Sequence, residues 1–175
     1  MTAPAVDHLT LTVTDLDASQ HFYGELLGLL RLADFGTVRV LVHPATGFTL
    51  SLALNGGAGG RFDERRTGLD HVGLACGSLA ELRAREAQLA AMGATYTPIR
   101  EMPFGWHLNL RDPDGIALEF TVPNAVLAAA YAELREPGLT QERLDVRARE
   151  VLAAAGVDTG VDTGVDTAGL DAVAG

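Results

Sequence analysis

One pattern occurs twice in this chain. VDHLTLTV (6–13) and LDHVGLAC (69–76) each alternate apolar with polar or small side chains, and each carries a histidine preceded by an aspartate near its start. A period of two is the mark of a strand with one buried face. After the first copy, Asp15 offers a helix cap, Phe22, Leu26 and Leu27 share a helical face, and Gly28 stops the helix. Strands are expected over 29–35, 37–43 and 47–54, the last two joined by the turn ATG (45–47). After the second copy, Ser78 and Glu81 form a capping box and Gly93 closes the helix. Strands are expected near 94–98, 106–111 and 115–122, the last two joined by the turn DPDG (112–115). A strand, a helix and three strands therefore follow one another twice. Such a duplication predicts an α+β fold of two βαβββ modules, each a curved sheet backed by its helix.

The modules span 5–54 and 68–123, within one domain over 5–123. NGGAGGRFDERRTG (55–68) lies between them. It lacks the Gly-Lys-Ser/Thr ending of a phosphate loop and reads as a flexible linker. Beyond Pro123, Leu127, Ala130, Tyr131 and Leu134 share one helical face, as do Leu144, Ala148, Val151, Leu152 and Ala155. A helical extension is thus expected over 124–156. The tail, 157–175, contains VDTGVDTGVDTAG and reads as disordered; its aspartate spacing matches no calcium loop.

The formal net charge of −10 argues against nucleic-acid and anionic-membrane partners. A single cysteine, Cys76, allows no internal disulfide. No signal peptide and no membrane-spanning run is legible, so a cytoplasmic protein is expected.

The terminal strands of the modules carry the chemistry. Leu9, Leu11 and Val13 share one face of the first strand, opposite His8, Thr10 and Thr12. Val72, Leu74 and Cys76 oppose His71, Gly73 and Ala75. Ile116, Leu118 and Phe120 oppose Ala117, Glu119 and Thr121. In FTLSLAL (48–54) the apolar residues oppose Thr49, Ser51 and Ala53. The apolar faces belong under the helices. The other faces, turned toward one another, would enclose a cavity with His8, His71 and Glu119 on its wall. Two imidazoles and a carboxylate form the facial set that binds Fe, Mn, Ni or Zn and leaves positions open for substrate oxygens.

DHLTLTVTDLDASQHFYGELLGL (7–29), GLDHVGLAC (68–76) and LRDPDGIALEF (110–120) resemble the vicinal oxygen chelate superfamily of glyoxalases, bleomycin-resistance proteins, extradiol dioxygenases and fosfomycin-resistance transferases. The resemblance covers 6–122. It implies ligand positions at His8, Ser51, His71 and Glu119. Glyoxalase I-like members place a carboxylate where Ser51 stands, and a hydroxyl is a poor ligand, so the remaining His-His-Glu set looks like that of dioxygenases and fosfomycin transferases. Thr10 matches a threonine of the latter. Asn109 stands where both have a tyrosine.

His107 and Asn109 are expected on the cavity side of their strand. His107 would contact substrate or carry a proton, as an imidazole can near neutrality, or be a polar residue at the cavity rim. Arg39 and His43 are read with the same orientation; Arg39 would hold an anionic group or be solvated at the rim. His21 reads as a surface residue and Cys76 as core. Asp7 and Asp70 read as turn residues or as supports for the adjacent histidines.

The leading expectation is a divalent-metal enzyme acting on a small molecule bound through neighbouring oxygens, with lyase, isomerase or dioxygenase chemistry. Its assignments are His8, His71 and Glu119 for the metal, Glu119 and His107 for catalysis, and Thr10, Arg39, Ser51 and Asn109 for substrate. A homodimer is expected, with modules pairing within one chain or exchanged between two. A metal-free protein that sequesters an antibiotic or metabolite is the alternative. A structural domain whose extension mediates assembly is the third reading.

Overall fold

The computed structural model describes residues 6–55, 60–133 and 138–156. The expected disordered tail, Leu134 and part of the Gly-rich segment lie outside them.

The architecture is α+β, with two separate sheets. β1 (His8–Thr12), β2 (Leu30–Asp34), β3 (Val38–Val42) and β4 (Thr49–Ala53) form the first, in the order β1-β4-β3-β2. β1 runs parallel to β4, and the other pairs are antiparallel. Between β1 and β2 lies α1 (Leu16–Leu27). Asp15 accepts from the backbone N–H groups of Asp17 and Ala18 at its start. Gly28 ends it at φ 70°, a left-handed conformation that suits glycine.

The second sheet contains β5 (Val72–Ala75), then, after α2 (Leu79–Met92), β6 (Thr95–Tyr96), β7 (Arg100–Met102), β8 (Gly105–Arg111) and β9 (Ala117–Pro123). Its order is β5-β9-β8-β6, with β7 also on β8. Four strands therefore follow α2 where three were expected. Pro98 is the cause: it has no N–H to give the ladder, so pairing to β8 stops after Tyr96 and resumes at Arg100. Gly105 opens β8 at φ 149°, where any Cβ would collide with the carbonyl oxygen of Val122. α3 (Ala125–Glu133) and α4 (Gln141–Ala154) complete the chain, and Thr140 caps α4 by accepting from Arg143 N–H.

The chain divides into two compact units. One takes in residues up to Val72 with Ala84–Tyr96 and Leu110–Leu118; the other takes in Gly73–Arg83, Thr97–Asn109 and the chain from Glu119. The core of the first unit includes Leu11, Leu26, Leu41, Leu50 and Leu52, all at most 4% exposed. It also buries a polar link: Tyr23 Oη donates to Asp112 Oδ2 at 2.9 Å. Asp112 Oδ1 accepts from the N–H groups of Asp114 and Ile116. Burial raises both the Tyr23 phenol and the Asp112 carboxyl above their ordinary ranges. The core of the second unit includes Leu82, Leu108, Phe120, Val122 and Val151.

The segment expected to be a flexible linker is tied down in its described second half. Arg111 grips Glu64 with both terminal nitrogens, at 3.0 and 2.5 Å, and this hydrogen-bonded guanidinium holds the Glu64 carboxyl below its usual range. Asp63 caps the turn that follows by accepting from Arg65 N–H.

Candidate functional site

Strand register fixes which residues share a face. In the first sheet His8 pairs with Thr49, Thr10 with Ser51 and Thr12 with Ala53. Val42, Val40 and Val38 pair with the same three residues of β4 from the other side. This face carries His8, Thr10 and Ser51, as the alternation predicts. The opposite face carries the buried Leu11, Leu41, Leu50 and Leu52.

Arg39 requires a correction. It pairs with Leu52, not with Ser51, and so lies on the leucine face. Its Nη1 donates to Asp17 of α1 at 2.5 Å and its Nε to Asp34 at 2.9 Å. The guanidinium joins sheet to helix. Arg39 apart, VRVLV is apolar on both faces, so alternation alone could not say which face the arginine takes. His43 is likewise drawn into a turn, where its Nδ1 accepts from Thr46 N–H at 3.2 Å.

His8, which opens β1, and His71, which immediately precedes β5, are each held by the residue before them. His8 Nδ1 lies 2.9 Å from Asp7 Oδ2, and His71 Nδ1 lies 2.5 Å from Asp70 Oδ1. A carboxylate can only accept, so each Nδ1 carries a proton. Asp7 and Asp70 are thus supports for the imidazoles.

In the second unit His107 and Glu119 meet on adjacent strands, His107 Nδ1 donating to Glu119 Oε1 at 2.5 Å. They stand in the wall of a cavity of about 730 Å3. Gly73, Ala75 and Thr121 form its floor on the sheet; Leu127, Leu144 and Val151 belong to its helical side. The small residues leave room, as their size suggests. Asn109 does not line this cavity; its carbonyl accepts from Thr97 N–H. Arg147, which does line it, carried no sequence signal, because its partners Glu133 and Glu150 are ordinary helix-surface acids in the sequence.

Among the described residues no three His, Cys, Asp or Glu side chains are grouped to hold a metal ion. His8 and His71 belong to the first unit and Glu119 to the second. Elsewhere, His21 is on the surface beside Glu25 and Cys76 is buried, both as expected. No described helix is long and apolar enough to cross a membrane.

Similarity to known proteins agrees with this architecture. The chain is similar over 70% of its length to all of a glyoxylase/bleomycin resistance protein/dioxygenase domain from Frankia sp. EAN1pec, with 39% identity and a TM-score of 0.64. A possible glyoxalase from Bacillus cereus shares 22% identity over 69% of this chain and 100% of its own, with a TM-score of 0.58. A mutant of the fosfomycin resistance protein FosX from Listeria monocytogenes, solved with Mn(II) and 1S,2S-dihydroxypropylphosphonic acid, shares 17% identity over 71% of this chain and 94% of its own, with a TM-score of 0.57. The last two likenesses concern the fold alone. No curated protein matches the chain. The family model for the glyoxalase/bleomycin resistance protein/dioxygenase superfamily matches residues 5–120, and the chain belongs to that superfamily.

Proposed function

We propose that this protein is a divalent-metal-dependent enzyme that binds a small substrate through neighbouring oxygens, with His8, His71 and Glu119 as metal ligands. The observation that carries the reading is the repeated Asp–His pair. Each imidazole donates its Nδ1 proton to a carboxylate partner of the kind that supports metal-bound histidine. A homodimer is part of this reading. FosX from Listeria monocytogenes, with its Mn(II), supports the choice of a divalent ion.

The metal would supply a Lewis acid for substrate oxygens. Thr10 and Ser51, paired across β1 and β4 beside His8, would offer hydroxyls to the substrate. Ser51 brings no base, so proton transfer falls to His107 and Glu119, already hydrogen-bonded to each other. Lyase, isomerase and dioxygenase reactions all fit these roles.

Metal analysis of the purified protein tests this. Near one Mn, Fe, Ni or Zn per chain is expected, with at least about tenfold less retained in His8→Ala and in His71→Ala. Metal-free protein under replete conditions, or metal unaffected by both substitutions, overturns the reading. A metal-free sequestering protein is the second reading, favoured by the apolar lining of the cavity in the second unit.

A further inference from the structure

The cavity of the second unit has walls that the family domain does not supply. The family model ends at residue 120, whereas Leu127, Leu144, Val151 and Leu152 come from α3 and α4. The extension therefore converts one face of a sheet into a pocket. A volume of about 730 Å3 suits a small organic molecule.

The charges in this pocket are already matched. Arg147 gives its Nε to Glu133 at 2.9 Å and its Nη1 to Glu150 at 2.7 Å. Glu119 accepts from His107. An anionic guest would find the arginine committed to two carboxylates. A cationic guest would have to compete with His107 for Glu119. Either would lose water without gaining an unclaimed partner, which is costly in an apolar site. A neutral guest meets no such cost and releases water from the aliphatic walls. Thr121 and Tyr131, both in the lining, can serve one polar group.

We propose that this cavity binds a neutral, largely apolar small molecule carrying one hydrogen-bonding group, and that α3 and α4 are part of the binding site. The proposal does not require the metal.

The test is fluorescence titration with N-phenyl-1-naphthylamine, a neutral apolar probe, on the full chain before and after EDTA treatment. Saturation at one probe per chain is expected in the EDTA-treated protein, so a loss of metal leaves this result standing, and the two readings fail separately. Leu144→Glu places a charge in the wall, and Ala148→Trp fills the space without burying a charge. Each should weaken uptake at least about tenfold. Val146→Glu, on α4 but outside the cavity lining, should leave it unchanged and reports on helix integrity. 1-Decanol should displace the probe at least about ten times more effectively than decanoate. Absence of saturable uptake, uptake unaffected by Ala148→Trp, or equal displacement by alcohol and acid overturns the proposal.

Discussion

The same strand order is finished differently in the two sheets. In the first, the face bearing His8, Thr10 and Ser51 is bordered by Val38, Val40 and Val42, and ends at the β2 edge with Leu30 60% and Leu32 66% exposed. In the second, the face bearing His107, Glu119 and Thr121 shares a cavity with α3 and α4. The buried sides are alike: close-packed leucines on both. A duplicated unit thus keeps its core while its polar face is free to diverge. Function is to be sought in that divergence, because packing constrains a leucine layer far more tightly than a half-exposed face.

This contrast can be tested from its strongest consequence to its weakest. Leu52 and Leu108 are both 0% exposed, one on each sheet. If the buried layers are equivalent, Leu52→Ala and Leu108→Ala should each cost about 3 kcal/mol, read from urea unfolding at unchanged slope. A clear inequality would break the likeness. Tyr23→Phe should cost about 1–2 kcal/mol, because the Asp112 carboxyl loses a buried donor. Its effect should stay in the first unit, leaving probe uptake by the cavity as it was. Leu30→Ser should change stability by no more than about 0.5 kcal/mol if the first face stays open in solution. A loss well above that, accompanied by a change in oligomeric state, would place a second copy over it.

Much of this was legible in the sequence because the signals were local. The duplication, the Asp15 cap, the Gly28 stop and the parity that brings His107 beside Glu119 all follow from period and turn chemistry. What escaped depended on distance or on ambiguity. Arg39 apart, VRVLV is apolar, so the arginine could not be oriented before its partners on α1 and β2 were known. The split of β6 from β7 rests on Pro98, whose missing N–H interrupts the ladder. The anchoring of the Gly-rich segment rests on Glu64 and Arg111, far apart in the chain. The helical stripe of Leu127 and Leu144 was visible as amphipathic, but no local pattern says which surface such a stripe will cover.

The steering of each imidazole by its own chain neighbour has a further consequence. Asp7 and His8, like Asp70 and His71, form their bond across a single peptide link, so part of each ring's orientation is written into the dipeptide itself. The device is portable: wherever the dipeptide travels, through gene duplication or strand exchange, the hydrogen bond can travel with it.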